Sequence, residues 1–553
     1  MGSTLRWSPP KIPHVKKQTG TKKLGLRASL AAAAIVGAMT VSARKADEIS
    51  ADPTGEKDCG PVLPPDASAN TLTLPAPPAS LPWIQKGGVL NDASCLNRTP
   101  VYGVVKVTEE RHIREALQFA RDNGLKVSIA GVRHSMGGHA VGKNALVLNM
   151  LDFNSMSLDD ATKTLTVQSG ATWHDIQKFL HPKYAVKAMQ STDIFTVGGS
   201  IAVNAHGMDH QAGAVGRTIR SMRLMRADGA VQTLSRSENA ELFNLVIGGY
   251  GLFGVVLDAQ IEITENVLYA TGRRVVDYAA FPALFRDELA PDPKLGLFYG
   301  HLSTSPDDSL LREMLLYTYH EAEPAVAAQS AVAPLGEVAS TRLRRFVLNF
   351  SKLGSVPMRL KWLAEKYVEP RMESCTVISR NNAQASGEAC LVSRNDPMHD
   401  SVFYLRNGLK TETDILQEYF IPREKFAPFV DGLRDIVRRQ GVNLVNASVR
   451  VVHKEDNLLN YAPADAFSIV LYVNQPTTEA GNAHMMAVTR ELVDLTTSLN
   501  GRFFLPYQLH YTPQQLERAY PEIRGFVAAK RSHDPDAIFS SIFYERLTAG
   551  LGE

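Results

Sequence analysis

The distribution of apolar residues divides the chain into three stretches of different character. Residues 28–43 form an apolar run without a charge, and residues 44–100 contain nine prolines with little periodicity. From Val101 onward, short apolar runs alternate with segments of helical periodicity, as in a folded domain that mixes helices and strands. We therefore predict an N-terminal segment over 1–43, a proline-rich linker over 44–94 and a folded body from residue 95.

The folded body opens with a β-α-β pattern. Strands are predicted at Val104–Val107 and Lys126–Ile129, with an amphipathic helix at Glu109–Asn123 that ends at Gly124. Asp228-Gly229 is a strong two-residue turn signal and predicts a hairpin. The remaining predicted elements are strands at 145–150 and 164–170 joined by a polar turn at 157–163, a helix at 172–180 capped by Thr172, and a strand at 255–267. Residues 95–270 are therefore predicted to be mixed α+β with two small sheets.

The second half of the chain repeats none of this pattern. Its predicted helices are 337–353, 422–440, 480–500 and 512–531, and its predicted strands are 401–406, 414–421, 448–454 and 467–473. Interspersed helices and strands favour a second α+β domain around an antiparallel sheet, which we assign to residues 271–510.

Composition limits the class of protein. A chain of 553 residues is too long for one core, and 44% apolar with 21% charged residues is ordinary for a globular enzyme. A net charge of +2 gives no reason to expect nucleic acid as a partner.

The N-terminus resembles an export signal. Seven Lys or Arg and no acidic residue precede the apolar run, which is shorter than the roughly 20 residues needed to cross a bilayer and ends in Val41-Ser42-Ala43. We expect an exported protein, periplasmic or secreted, or one attached to a membrane through residues 28–43. An organellar presequence and a plain disordered tail remain open.

Four cysteines carry no Cys-x-x-Cys motif. Export would allow two disulfide bridges, most simply Cys59–Cys95 and Cys375–Cys390, but three pairings are possible and free thiols are an equal alternative.

The candidate chemistry lies in four glycine-rich segments. They are Ile129–His139, with His134 and His139 in a glycine turn, and the stretches 167–180, 191–209 and 247–256. Glycines let the main chain approach a ligand closely. Separated glycine loops at strand ends suit a long, multiply charged ligand such as a dinucleotide.

This order of motifs resembles the vanillyl-alcohol-oxidase / p-cresol-methylhydroxylase superfamily of flavoproteins. The similarity is to its sugar-alcohol oxidase, aldonolactone oxidase and cytokinin dehydrogenase branch, over residues 95–270 and again over 511–553, at Tyr520-Pro521, Lys530 and Asp534-Pro535. It implies a two-subdomain FAD-binding domain, a substrate-binding cap domain and a C-terminal segment that returns to the FAD domain.

The resemblance implies FAD as the cofactor, linked through its 8α carbon to His134. The residues that it implies around the cofactor are Ile129, Ala130, Gly131, Val132, Arg133, His134, Ser135, Thr196, Gly198, Gly199, Ser200, Asn204, His206, Gly207, Gly254 and Val255. An unlinked His134 and attachment at His139 are the alternatives. A metal site among His134, His139, His206 and His210 is a further one, but no acidic residue has a suitable spacing.

The second domain must supply the catalytic groups, and there the chain departs from that branch. Arg450 matches the arginine of a Glu-x-Arg pair, but Ser448 replaces the acid, so Glu418 is an alternative acid. Gln508 or His510, on a predicted strand at 503–510, stands where a lysine is expected. The catalytic candidates are therefore Arg450, Glu418, Gln508 and His510, and a purely structural role is the alternative for Arg450, Glu418 and His510.

The resemblance implies an oxidoreductase. It would transfer a hydride from an alcohol, sugar-alcohol or lactone-type carbon to the flavin, and then to O2 or another acceptor. The alternatives are reduction of a C=C bond or an epimerase half-reaction with non-covalent FAD, and, from a different class, a binding module without enzymatic activity.

Overall fold

A computed structural model describes residues 46–47, 49–50, 75–328, 330–337, 341–367, 391–402, 405, 409 and 411–552. The predicted N-terminal segment 1–43, most of the linker, and Cys59, Cys375 and Cys390 lie outside these residues. Cys95 is disulfide-bonded. Among the described residues, no helix is both long enough and apolar enough to span a bilayer.

The first sheet has four strands in the order β1-β4-β6-β5. The strands up to residue 149 are β1 (Trp83–Lys86), β2 (Val89–Leu90), β3 (Thr99–Pro100), β4 (Gly103–Lys106), β5 (Val127–Ala130) and β6 (Leu146–Asn149). Strands β4 and β5 run parallel to β6. Helix α1 (Glu110–Asp122) connects β4 to β5, and its Ile113 and Leu117 are buried. This confirms the predicted β-α-β opening.

The predicted linker boundary at residue 94 is wrong. Strand β1 lies inside the predicted linker, yet it pairs with β4, and Trp83 packs edge-on against Tyr102. Only one face of this four-residue strand is half-buried, so its weak alternation is hidden among the surrounding prolines.

The second sheet is antiparallel, in the order β11-β10-β12-β8-β7, with β9 paired to β12. Its strands are β7 (Met156–Asp159), β8 (Thr164–Gln168), β9 (Tyr184–Val186), β10 (Ile219–Met225), β11 (Val231–Ser235) and β12 (Val255–Glu265). The associated helices are α2 (Trp173–Leu180), α3 (Val197–Val203), α4 (Val215–Thr218) and α5 (Ala240–Val246). The Asp228-Gly229 hairpin and the Thr172 cap of α2 are confirmed.

One connection differs from the prediction. The strands predicted at 145–150 and 164–170 belong to different sheets, and part of the predicted turn between them is strand β7. Ser157 and Asp159 made this segment read as a turn, but they occupy the exposed face of an edge strand.

The cap domain is built on an eight-stranded sheet in the order β16-β13-β15-β14-β18-β19-β17-β20, antiparallel throughout. Its strands are β13 (Leu268–Asp277), β14 (Leu295–Leu302), β15 (Glu313–Glu321), β16 (Leu391–Ser393), β17 (Glu412–Pro422), β18 (Asn443–Val452), β19 (Ala466–Pro476) and β20 (Arg502–Phe503). Its helices are α6 (Phe281–Leu284), α7 (Pro324–Ala327), α8 (Thr341–Ser351), α9 (Ser355–Tyr367), α10 (Phe426–Gln440) and α11 (Glu479–Ser498). The predicted α+β class with an antiparallel cap sheet is confirmed.

Two predicted cap strands need correction. The strand predicted at 503–510 ends at Phe503, because Pro506 cannot continue a ladder of backbone hydrogen bonds. Of the strand predicted at 401–406, the described residues 401, 402 and 405 are not in a strand, and the others lie outside the described residues.

The C-terminal segment packs against the first sheet. Helices α12 (Pro513–Ala519), α13 (Ile523–His533) and α14 (Ile542–Leu551) make up this segment. The predicted helix 512–531 is broken at Tyr520, because the residue before a proline is disfavoured in helical conformation. Between α13 and α14, Phe539 forms a parallel bridge with Val127 at the start of β5.

A single apolar cluster joins the second sheet to the cap sheet. It contains Trp173 and Phe243 from the first half of the chain together with Phe298 and Phe467 from the cap. The two domains therefore share a core, and the cleft between them has fixed walls.

Candidate functional site

A cleft of about 1830 Å3, part of it open to solvent, lies between the glycine-rich segments and the cap sheet. The sequence-predicted residues that line it are Ile129, Gly131, Val132, Arg133, His134, Ser135, Thr196, Gly198, Gly199, His206, Gly254, Glu418 and Arg450. Residues from segments more than 200 positions apart thus meet in one space.

The loop after β5 forms one wall of the cleft. Arg133 has a left-handed backbone (φ 54°), which turns the chain sharply just before His134. The His134 ring contacts the ring of Phe195 edge-on, with centroids 5.0 Å apart, and both residues line the cleft. The strand end and the sharp turn thus hold His134 at the cleft surface.

His139 lies deeper in the same wall. Its ring stacks on Phe543 at 4.3 Å, and Tyr250 packs on it at 5.4 Å. Burial lowers the pKa of His139 to about 3, so this imidazole is neutral at physiological pH.

Glycines in the segments 129–139 and 191–209 are required for space. A Cβ at Gly131 would come within 2.3 Å of Thr196 Oγ1, and one at Gly198 within 2.9 Å of Ser169 Cβ. The Gly198 amide donates to the Ser169 carbonyl oxygen at 2.8 Å, and the Gly199 amide to Thr196 Oγ1 at 3.3 Å. Both amides therefore donate hydrogen bonds to other groups of the protein. The glycine-rich sequence had instead indicated that this backbone contacts a ligand.

Several sequence-predicted residues lie behind the cleft wall and support it. Asn204 accepts from the Gly216 amide at 2.9 Å and donates to Glu455 at 3.2 Å, and Ser200 accepts from Trp173 Nε1 at 2.9 Å. A Cβ at Gly207 would come within 1.8 Å of the Met189 carbonyl oxygen. The predicted residues outside the described lining are Ala130, Ser200, Asn204, Gly207, Val255, Gln508 and His510.

The cap sheet presents a row of side chains to the cleft. Strand β19 lies between β17 and β18, and its Val470 is in register with Glu418 on one side and Ser448 on the other. All three line the cleft, as does Arg450, two residues beyond Ser448 on the same strand face. Ser448 stands where the resemblance implies an acid. Glu418 lies two strands away on the same face of the sheet and presents a carboxylate to the cleft instead.

Glu418 is the centre of a buried polar cluster. His206 Nε2 lies 2.6 Å from Glu418 Oε1, which also accepts from Ser468 Oγ at 2.5 Å. The Tyr507 hydroxyl donates to Glu418 Oε2 at 3.3 Å. Burial and the nearby carboxylate raise the pKa of Tyr507, so it remains a donor. When His206 Nε2–H donates to Glu418, the other ring nitrogen, Nδ1, carries no proton and can accept one. In the structure Nδ1 is buried and has no hydrogen-bond partner.

Arg450 is held in place on the same face of the cap sheet. Its Nε donates to Ser191 Oγ at 2.9 Å, and its guanidinium lies 5.1 Å from the centroid of the Tyr299 ring. Burial lowers the pKa of Arg450, but an arginine starts from so high a value that it stays charged at neutral pH. It supplies a fixed positive charge to the cleft wall.

Sequence reasoning missed Tyr507 and Ser468. Tyr507 is in the 503–510 segment, where the resemblance places a lysine and so implied Gln508 or His510. Ser468 adjoins Glu418 only through the pairing of β17 with β19, which is set by non-local contacts. In the sequence, Tyr507 and Ser468 are marked only as polar residues within otherwise apolar segments.

The histidines considered for a metal site are not brought together. His206 pairs with Glu418, His139 stacks on Phe543, and His210 packs against Phe298. One other group in the described part of the chain, His174, Glu337 and His399, has possible ligand atoms within 4.8 Å of one another. Both of its histidines already bond to Asp193 through Nδ1, and Lys178 pairs with Glu337.

Comparison with known proteins agrees with this arrangement. Residues 101–235 match the model of the FAD binding domain family. The chain is 25% identical over 460 residues to decaprenylphosphoryl-beta-D-ribose oxidase of Mycolicibacterium smegmatis, covering 79% of this chain and 92% of that protein. This similarity therefore extends through the cap domain.

Other relatives match over about a third of the chain. L-gulonolactone oxidase of Mus musculus is 28% identical over 182 residues, which cover 31% of this chain and 40% of that protein. Cytokinin dehydrogenase 2 of Arabidopsis thaliana is 27% identical over 191 residues, 34% of this chain and 38% of that protein. Residues 101–235 therefore match the FAD binding domain family, and the chain is similar to oxidases and a dehydrogenase.

Proposed function

We propose that this protein oxidises a CH–OH carbon of a small polar, sugar-like substrate, with FAD linked through its 8α carbon to His134. The electrons then pass to O2 or another acceptor. The observation that carries the proposal is that the glycine loops of the FAD-binding domain and the Glu418 cluster of the cap line one cleft. The names of the relatives, two oxidases and a dehydrogenase, favour oxidation over reduction of a C=C bond.

The residues of the cleft fit an elongated polar cofactor. Ser169 Oγ and Thr192 Oγ1 are buried without a partner in the structure, and both residues line the cleft. Buried hydroxyls are normally hydrogen-bonded, so these are sites for a ligand with many acceptors. A Cβ at Gly251 would meet only Ile129 Cδ1, at 3.8 Å, so this glycine leaves space on the cleft side.

When bound, FAD supplies the acceptor for the hydride. The chain supplies the base: His206 Nδ1 takes the proton of the substrate hydroxyl, and Glu418, through its hydrogen bond to Nε2, stabilises the imidazolium that forms. Ser468 and Tyr507 hold the carboxylate in place. Arg450 stabilises negative charge that develops in the cleft.

His134 is favoured over His139 as the attachment site. Both histidines line the cleft, but His134 is partly exposed on its loop, whereas His139 is buried and its ring contacts the rings of Tyr250 and Phe543. Forming a bond to carbon requires the ring nitrogen to reach the cofactor, and a buried ring in contact with two aromatic side chains has little freedom to do so.

Acid precipitation of the purified protein tests the linkage. We expect flavin absorbance to stay with the precipitated protein, to be lost from the pellet in His134→Ala and to remain in His139→Phe, a change that keeps the stacked ring. Flavin released entirely into the supernatant from the unaltered protein contradicts the covalent link but leaves the oxidoreductase proposal standing. Purified protein without any flavin contradicts both.

A further inference from the structure

Two histidines and two carboxylates meet beside the cleft, apart from the Glu418 cluster. The possible ligand atoms of His174, Glu337 and His399 lie within 4.8 Å of one another. The two imidazole rings stack with centroids 4.7 Å apart and an angle of 13° between their planes. Asp193 is buried against both rings. We call these four residues the His174 cluster.

Asp193 sets which nitrogen of each ring carries a proton. Its Oδ2 lies 2.8 Å from Nδ1 of His174 and 2.9 Å from Nδ1 of His399. His399 Nδ1 is also 3.0 Å from the amide oxygen of Gln177. Carboxylate and amide oxygens accept hydrogen bonds, so both Nδ1 atoms carry a proton, and a neutral ring then has its lone pair on Nε2. A carboxylate that holds a histidine in this way is a common support of metal-binding histidines.

The Nε2 atoms are placed to bind a ligand. The His399 side chain is 2% exposed, and its Nε2 has no hydrogen-bond partner among the described residues. Buried polar atoms normally have a partner, so this nitrogen points to a ligand.

The distance between His174 and Glu337 fits a shared metal ion. His174 Nε2 lies 3.4 Å from Glu337 Oε1. A direct charge-assisted hydrogen bond is shorter, about 2.7–2.9 Å. Two ligand atoms that each lie about 2.1 Å from a tetrahedral zinc ion are about 3.4 Å apart. The pair is therefore spaced like two ligands of one ion.

Lys178 competes for the same carboxylate. Its ammonium group pairs with Glu337 Oε1, and both side chains are about half exposed. An exposed ion pair contributes little to stability, so a divalent ion can displace the lysine. The pair shows that a cation is held at this carboxylate.

The His174 cluster joins the FAD-binding domain to the cap domain at the cleft. His174 is in the first turn of α2, and His399 is in the cap segment between β16 and β17. The Asp193 amide donates to the Asp400 carbonyl oxygen at 3.2 Å, and the neighbouring Thr192 lines the cleft.

We propose that His174, Glu337 and His399 bind a divalent transition-metal ion. Two imidazoles and one carboxylate suit zinc. Asp193 orients both imidazoles, and water completes the coordination on the exposed side. The ion holds the two domains together at this wall of the cleft. Binding depends on the cluster alone and does not depend on the reaction proposed above.

Zinc titration of the full-length protein, without a histidine tag and after treatment with a chelator, tests the proposal. We expect one bound equivalent, measured by competition with a chromophoric chelator. His399→Ala and Glu337→Gln should each weaken binding at least about tenfold, and Asp193→Asn by about 10- to 100-fold. His320→Ala is the matched control, since it removes a histidine from another His–Asp pair, and it should bind zinc as the unaltered protein does.

Lys178→Met distinguishes a metal site from a cluster that is only structural. Loss of the competing ammonium group should tighten zinc binding by about threefold or more. Glu337→Gln changes an exposed side chain, so it provides a folded variant if His399→Ala fails to fold.

Three results would overturn the proposal. The first is that the unaltered protein binds no zinc at micromolar concentrations. The second is an equal affinity in the unaltered protein and Glu337→Gln, which assigns zinc to another part of the chain. The third is an unchanged affinity in Lys178→Met, which removes Glu337 as a ligand.

Discussion

At the scale of single residues, Glu418 joins the two halves of the site. Its carboxylate accepts from a serine of the neighbouring strand and a tyrosine of the loop after β20, and it meets His206 from the other domain. A buried carboxylate with several hydrogen bonds is held in one orientation. The carboxylate is thus fixed against Nε2 of His206.

Glu418→Gln is expected to lower kcat by about 10²- to 10⁴-fold, the contribution typical of general acid–base catalysis. The amide keeps an oxygen that can accept from His206, but it loses the negative charge that stabilises the imidazolium. Stopped-flow reduction of the flavin by a substrate found in screening measures the effect. Glu412→Gln, at the far end of the same strand, serves as the control, and flavin content should not change in either variant. Unchanged kinetics in Glu418→Gln would remove the pair from the mechanism.

At the scale of elements, the C-terminal segment anchors the strand that leads into the His134 loop. Lys530 and Asp534 form a fully buried ion pair at the end of α13, and Asp534 also accepts from the amides of Ile538 and Phe539 at 3.0 and 2.9 Å. These bonds turn the chain so that Phe539 bridges to Val127 on β5. Burial lowers the pKa of Lys530, which makes its partner necessary.

Asp534→Ala is expected to lower the free energy of unfolding by about 3–5 kcal/mol, because it leaves a buried ammonium group without a partner. Lys530→Met should cost less, since Asp534 keeps both backbone donors. Urea unfolding followed by circular dichroism gives the two values. Equal losses in the two variants would mean that the pair acts through packing alone.

The comparison of sequence and structure also belongs to this scale. The β-α-β opening, the Asp228-Gly229 hairpin and the glycine loops could be predicted because local patterns encode them. Strands β13, β14 and β15 were missed, and so was the Glu418 cluster, since both depend on pairings between distant segments. Gly207 shows the limit well: it was assigned to the cofactor, yet a Cβ there would strike the Met189 carbonyl oxygen, which is a packing constraint.

At the scale of the whole molecule, several histidines are buried in neutral form. Burial lowers the pKa of His139 to about 3 and those of His210 and His510 to about 4. His210 and His510 each have a ring nitrogen without a partner in the structure. The unfolded chain binds protons near pH 6.5 at these positions, whereas the folded protein does not.

The free energy of unfolding is therefore expected to have its full value above about pH 6.5 and to fall as the pH drops toward 4. Each of these groups contributes up to about 1.4 kcal/mol per pH unit in this window, because the unfolded state binds more protons there. Thermal unfolding between pH 7 and pH 4.5 measures the slope. His139→Phe, which keeps a ring against Phe543, should make the slope shallower, while His320→Phe, at a more exposed position, should not. An identical slope in His139→Phe would contradict the assignment.

The proposed acid–base pair, His206 and Glu418, is divided between two parts of the chain, and this division has a consequence for how the sequence can change during evolution. The imidazole comes from the part of the chain that would hold FAD, while the carboxylate and Arg450 come from the cap sheet. Under the proposed function, substitutions along the cap strands would exchange one substrate for another without disturbing the residues that would hold the cofactor. The contact between His206 and Glu418 also forms only once both parts have folded and packed together.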